Sequence, residues 1–334
     1  MTRFLVLLIA SSIAGLPVRG EGAESRKPEP YSKRPEVRVF IRELVARHGF
    51  VEKELVFLFS RVRRAEPVLQ AISAPAEKTK PWPEYREILV NEQRIAGGVA
   101  FWRANRAALE RAQREFGVPA EYIVAIIGAE THYGRNVGRW RVVDALSTLA
   151  FDYPPRADFF RDELVSYLLL ARDEGINVFA TRGSYAGAFG IPQFMPGSAR
   201  RYAVDFDGDG AIDLHRSAAD AVGSVANFLK GHGWQPGGEV LLEARVQGEG
   251  YRAYADGSLE PKHSLAELAR AGVLIPGPAQ RAEQRATLIE LDAPGQASEY
   301  RVGLQNFYVL TRYNRSAFYA AAVAELARTI KQKL

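Results

Sequence analysis

Eight consecutive residues without a charge, Tyr122 to Ala129, run straight into one carboxylate, Glu130, and then into the glycine-bearing stretch Thr131-His132-Tyr133-Gly134-Arg135. A helix that is apolar over most of its circumference has to be covered on most sides. This segment therefore predicts a core helix, with Glu130 at the place where apolar packing gives way to a loop. Poor hydration penalises an ionised carboxyl, so such an acid stays protonated near neutrality and has a proton to donate. The same residues also allow a plainer reading, in which Glu130 ends the helix and pairs with Arg135 or Arg139.

A second block, Gly183-Ser184-Tyr185-Ala186-Gly187-Ala188-Phe189-Gly190-Ile191-Pro192-Gln193-Phe194-Met195-Pro196-Gly197-Ser198, carries four glycines among small and aromatic residues. It cannot be a stable helix interior. A loop or short hairpin whose backbone comes close to a ligand suits it. Side chains such as Ser184, Gln193, Tyr185 and Phe194 would offer such a ligand hydrogen-bonding groups and apolar contact. The competing reading is a packed turn with Met195 as core filler.

A third block, Asp205-Phe206-Asp207-Gly208-Asp209-Gly210-Ala211-Ile212-Asp213, has the oxygen ligands and turn glycine of the first nine positions of an EF-hand loop, with the Ala211 carbonyl as a further ligand. The twelfth position is Arg216 in place of a bidentate carboxylate. Calcium affinity is therefore expected to be weak, with Asp220 or water filling in. An Asp/Gly turn that bonds its own backbone is the alternative.

Of the 334 residues, Met1-Thr2-Arg3 and the apolar run Phe4 to Leu16 have the layout of a secretory signal, too short to span a bilayer. The signal is placed at 1–23, with cleavage after Gly20 or Ala23. Without any cysteine there is no disulfide frame, no thiolate metal site and no lipid-anchoring thiol. The chain is read as exported and unanchored. The net charge of +5 includes Arg3 and Arg19 of that segment, and the remaining basic excess is scattered. Such a balance suits an anionic polymer and lacks the clustered stripe of a nucleic-acid binder.

Residues 24–36 read as a flexible lead-in rich in Pro, Ser, Lys and Glu. Helical spacing recurs over Val37 to Arg47, Val51 to Arg64, Ile95 to Phe116, Arg141 to Phe151, Asp158 to Glu174, Asp220 to Leu229 and Ser316 to Lys331. Strand-like periods appear at Glu239 to Gly250, Ala286 to Leu291 and Glu299 to Val302, around a short helix from Ser264 to Ala271. The expected fold is mainly α with a small β-containing module. Its divisions are a helical module at 37–80 packed with 316–334, a core at 81–235, a β-containing module at 236–302, and a returning segment with the last helix at 303–334.

Glu130-Thr131-x-x-Gly134 after an aliphatic helix resembles the signature of the lysozyme-like lytic transglycosylases. The longer string Ile126 to Arg135, with Gly183 to Ser198 and Gln305 to Ser316, resembles the lytic murein transglycosylase B family. The resemblance runs from about Val37 onward and implies a lysozyme-like helical core. It also implies an enzyme of the periplasm that cuts the bond between N-acetylmuramic acid and N-acetylglucosamine without water, with Glu130 as acid and then base. By the same resemblance Tyr85 lines the sugar groove, and Ser184, Gln193, Met195, Tyr313 and Asn314 face the glycan. Arg156 is left as the single arginine of a turn that usually has two, Pro155 standing where the first would be. No cofactor is required, calcium being at most a weak structural ion, and the expected partners are peptidoglycan strands bound by a monomer. A hydrolytic muramidase with a second carboxylate and a non-catalytic wall-binding scaffold are the alternatives.

Overall fold

The computed structural model describes residues 29–73, 80–276, 281–295 and 297–334. The expected signal at 1–23, the start of the lead-in and most of the Pro- and Lys-bearing linker after Ser73 lie outside the described residues. The first helix, α1 (Pro35–His48), shows the sequence logic of its ends. Proline opens it, where no amide hydrogen is needed, and Gly49 closes it in the left-handed region at φ 69°. Next come α2 (Glu52–Arg61), α3 (Glu66–Ser73), α4 (Trp82–Leu89), α5 (Glu92–Ala104), α6 (Arg106–Phe116) and α7 (Ala120–Thr131). The single helix expected over Ile95 to Phe116 is two. At Asn105 the backbone leaves the helix (φ −116°, ψ 24°), and the side-chain amide donates to the Phe101 carbonyl at 2.8 Å. An asparagine that bonds the preceding turn in this way competes with the helical ladder.

The chain continues through β1 (Trp140–Arg141), α8 (Val142–Asp152), α9 (Ala157–Asp173), β2 (Arg182–Gly183), α10 (Pro196–Tyr202) and α11 (Ala218–Gly231). It then forms β3 (Leu241–Val246), β4 (His263–Ser264), α12 (Leu265–Arg270), β5 (Val273–Leu274), β6 (Arg285–Leu291), β7 (Glu299–Gly303), α13 (Gln305–Tyr313) and α14 (Ala317–Gln332). No helix among the described residues is long and apolar enough to cross a membrane.

Contacts group these elements into two compact units, one from residues 29–73 and 137–201, the other from 80–136 and 202–334. The grouping cuts the chain differently from the sequence reading, which sets 37–80 beside 316–334. In the first unit α8 packs along α9, and α3 packs on α8. Phe40, Phe59 and Phe151 meet edge to face at centroid distances of 5.5 to 6.3 Å, and Asp152 ties Tyr31 and Arg34 to the end of α8. In the second unit α7 is covered by α14, α5, α6 and α11, and α14 also lies on α4. Residues Ile123 to Ala129 of α7 are all buried, as an uncharged run requires.

The second unit also holds an antiparallel sheet of order β4-β6-β7-β3-β5, with Val302 of the middle strand opposite Leu242 on one side and Leu288 on the other. Leu265, Leu268, Val273, Ala286, Leu288 and Val302 form its own small core. The short β4, β5 and α12 therefore fold onto the three longer strands and need no other support.

Candidate active site

Helix α7 stops two residues after Ala129. His132 and Tyr133 take left-handed backbone at φ 54° and 64°, followed by Gly134 at 83°. Consecutive non-glycine residues in this region are strained and need support from their surroundings. The Gly134 amide donates to Thr131 Oγ1 at 2.9 Å, and the Asn136 amide to the Thr131 carbonyl at 2.9 Å. The Tyr133 ring lies against Gly97, Gly98 and Gly128, where an added Cβ would come within 2.8 Å of the ring at Gly97 and 2.5 Å of the hydroxyl at Gly128. Two adjacent glycines inside α5 are costly for a helix, and this close approach accounts for them.

Glu130 is half-buried on the last turn of α7, and its Oε1 accepts a hydrogen bond from the Tyr319 hydroxyl at 2.6 Å. Tyr319, on α14, is fully buried. Burial first, and then the charge of Glu130, hold its hydroxyl far above the ordinary tyrosine range, so it remains a donor. Tyr313, at the end of α13, is buried and shifted upward for the same two reasons. Its ring packs on Phe228 at 4.8 Å. Asn314 follows it, 1% exposed, and Tyr85 is 2% exposed on α4 with its ring 5.8 Å from Phe318. The charge of Glu130 acts on Arg94, Tyr313 and Tyr319 alike. The unit thus brings Tyr85, Tyr313 and Asn314 to the end of α7, together with Tyr319, which the sequence did not single out.

In the other unit, β1 pairs with β2 and leads into the glycine-rich block. Ser184 N donates to the Ala188 carbonyl at 2.7 Å, and Phe189 and Phe194 exchange backbone bonds, so the block is a tight hairpin. Ser184 Oγ accepts the Ala188 amide at 3.1 Å, which leaves the hydroxyl proton free for another acceptor. Gln193 sits at φ 51°, and its Nε2 donates to the carbonyls of Val137 (3.1 Å) and Gly190 (2.9 Å). Both amide donors are thereby used, which leaves the side-chain oxygen as an acceptor. Met195 is buried at 5% exposure just before α10.

Arg156 precedes α9 with its guanidinium over the rings of Phe159 (4.3 Å) and Phe160 (5.3 Å). No carboxylate among the described residues lies within salt-bridge distance of it. Glu163, on α9, was not marked by the sequence. It accepts the Gly197 amide at 2.8 Å at the start of α10, and burial pushes its carboxyl above the usual range. Asp144 and Asp152, the acids nearest Glu130 downstream in sequence, are tied up in this unit by Arg141 and the Arg63 amide, and by Arg34 and Tyr31.

The acidic loop places carboxylate oxygens of Asp205, Asp207 and Asp209 within 4.8 Å of one another. Those three, with the Ala211 carbonyl, fit the oxygen preference of a calcium ion. The rest of the loop does not. Partial burial works against the charge of Asp213, yet the Arg216 guanidinium at 2.6 Å and the amides of Arg216 and His215 outweigh it and hold the carboxyl low. Asp220 is not a substitute twelfth ligand. It is 1% exposed, with one oxygen on the amides of Phe206 (2.7 Å) and Asp207 (3.3 Å) and the other on that of Asp213 (2.8 Å). An internal cation and a buried loop organiser thus take over the closing role of the missing carboxylate.

The family profile of the transglycosylase SLT domain matches residues 32–328. Membrane-bound lytic murein transglycosylase B of Escherichia coli K12 is 41% identical over 309 residues, which span 90% of this chain and 84% of that protein. Catenated lytic transglycosylase SltB1 from Pseudomonas aeruginosa superposes with a TM-score of 0.87 at 49% identity, covering 91% of this chain and 99% of that one. SltB3 from the same organism, in complex with NAG-anhNAM-pentapeptide, gives a TM-score of 0.78 at 30% identity over 89% of this chain and 79% of its own. A half-buried glutamate ending an apolar helix, in a helical fold shared along nine-tenths of the chain, leads to one assignment: the protein belongs to the transglycosylase SLT domain family and is a lytic transglycosylase of lysozyme-like fold.

Proposed function

We propose that this chain acts in the periplasm as a monomer on peptidoglycan strands. It cuts the bond between N-acetylmuramic acid and N-acetylglucosamine and leaves a 1,6-anhydro end. The observation that carries the reading is Glu130, half-buried at the end of an apolar helix and held by the Tyr319 hydroxyl. Retaining and inverting glycosidases usually use two carboxylates. With one, the substrate has to supply the rest. Protonated Glu130 gives its proton to the glycosidic oxygen, which departs with the bonding electrons as the free hydroxyl of N-acetylglucosamine. The acetamido oxygen of the muramic sugar stabilises the cation left at C1. The C6 hydroxyl of that sugar then bonds to C1 and returns its proton to the Glu130 carboxylate. No water is consumed, and the acid is regenerated. The similarity to SltB3, seen with an anhydro sugar, supports this product.

The remaining roles follow from bonding capacity. Ser184 donates its free hydroxyl proton and Gln193 accepts with its side-chain oxygen, matching an acetamido group or sugar hydroxyls. Tyr313, Asn314 and Tyr85 contribute apolar and polar walls in their unit, and Met195 an apolar one in its own. Arg156, with no carboxylate within salt-bridge distance among the described residues, receives the acidic side of a stem peptide. Calcium is not part of the reaction, and the acidic loop binds it weakly. The signal-like segment at 1–23 supports export.

Digestion of purified sacculi with the enzyme is expected to release muropeptides one water lighter than lysozyme products, read by mass spectrometry. Reducing muramic acid ends as the main product would establish the hydrolytic muramidase instead, and the absence of any product from a folded protein would establish the scaffold. Glu130→Gln, which keeps shape but has no proton to give, should lower turnover about a hundredfold or more while leaving the melting temperature nearly unchanged.

A further inference from the structure

Arg94 is 8% exposed on α5, and its guanidinium is spent on carbonyls: Nε donates to Ile88 at 2.9 Å, and Nη1 donates to Gly128 on the last turn of α7. No carboxylate lies within salt-bridge distance of it among the described residues. A buried cation without a paired anion is expensive, so its retention at the end of the helix that carries Glu130 requires a reason. The C-terminal end of a helix carries partial negative charge and disfavours a carboxylate placed there. Glu130 occupies that position, two residues beyond the carbonyl that Arg94 holds.

We propose that Arg94 is a positioning residue for the reaction, a fixed cation that caps α7 from α5 and offsets the negative helix end beneath Glu130. It does not touch the substrate. Its own support is visible: the Tyr133 hydroxyl donates to the Arg94 carbonyl at 2.6 Å, and Asn91 Oδ1 accepts the Arg94 amide at 3.0 Å. The left-handed turn after Glu130 and the guanidinium beneath it are therefore one assembly, clamped by Tyr133. Burial lowers the arginine from its ordinary range, and the charges of Tyr133 and then Glu130 act in the opposite sense. An offsetting cation favours ionised Glu130, the form needed to take the proton from the C6 hydroxyl, and makes the protonated form a stronger donor.

The titratable groups around this carboxylate are Tyr85 from α4, Arg94 from α5, His132, Tyr133 and Arg135 from the turn, Tyr313 from α13 and Tyr319 from α14. The helices α6 and α11 bring exposed charges only, apart from Asp220, which is committed to the acidic loop. Burial and the nearby charges of Arg94 and Arg135 lower His132 and keep it neutral near pH 7. Arg94 is thus the buried cation of the set.

The inference rests on the assignment of Glu130, and the test separates the two. Glutamate labelled with carbon-13 at Cδ reports the titration of Glu130 in the full chain without any turnover, the signal being assigned by its loss in Glu130→Gln. In Arg94→Gln, which keeps a donor but loses the charge, the Glu130 midpoint should rise by about one pH unit. The alkaline limb of the kcat profile, where the acid is lost, should move with it, kcat should fall about tenfold, and KM should stay nearly constant. Arg94→Lys should keep the wild-type midpoint. A folded Arg94→Gln with an unchanged Glu130 titration overturns the proposal, whatever the turnover. Should Arg94→Gln not fold, Tyr133→Phe decides, because it loosens only the clamp: a raised midpoint supports the role, and an unmoved one overturns it. Full turnover by Glu130→Gln would instead remove the catalytic assignment.

Discussion

Tyr319 reaches Glu130 from 189 positions away in the sequence. A phenol donating to a carboxylate is a charge-assisted bond, stronger than a neutral one. Its removal in Tyr319→Phe is expected to lower kcat about ten- to a hundredfold with little change in fold, checked by steady-state rates on soluble glycan fragments and by circular dichroism. Glu163 gives a pH-dependent case. Its folded pKa lies above the unfolded value, so the stability it contributes is present in acid and is lost as pH rises through the raised pKa. Glu163→Gln keeps an acceptor for the Gly197 amide and avoids the buried charge. The variant should melt above wild type at about pH 7, with the gap closing towards about pH 4. Glu130 itself was legible because an acid after eight uncharged residues is conspicuous, and the resemblance reinforced it. Arg94 and Tyr319 were not legible, because each is an ordinary member of an amphipathic helix until the fold shows what lies opposite.

At the scale of elements, the α5–α7 crossing is set by glycines. Gly128→Ala puts a methyl against the Tyr133 hydroxyl and is expected to destabilise by about 1 to 3 kcal/mol in denaturant melts. A second change of Tyr133 to Leu should recover part of the loss, and absence of recovery would show that the cost arises elsewhere. Nothing in the sequence marks the glycine pair as a slot for a particular ring, and helical spacing runs straight through it. The acidic loop went the other way. Its ligand spacing was plain in the sequence, as was the intrusion of Arg216, but the capture of Asp213 and the inward turn of Asp220 depend on three-dimensional bonding. Calcium at micromolar levels should raise the wild-type melting temperature little, and Arg216→Glu should enlarge the response. A tight wild-type site in calorimetry would show that the internal cation yields to the ion.

Over the whole molecule, helix positions and the β-containing module were accessible from periodicity, since each element's apolar face repeats locally. The grouping of elements was not. Residues 29–73 join 137–201 and residues 80–136 join 202–334, so the chain alternates between the units. Periodicity marks which face is buried and is silent about which distant segment buries it.

That alternation has a temporal consequence. Helix α7 emerges early in translation, but its cover α14 and the hydroxyl that holds Glu130 belong to residues 317–332. Until that stretch has been made and has docked, the apolar helix lacks its lid and the acid lacks its anchor. The hydrogen bond to Glu130 is thus a product of α7 and α14 packed together and not of α7 alone.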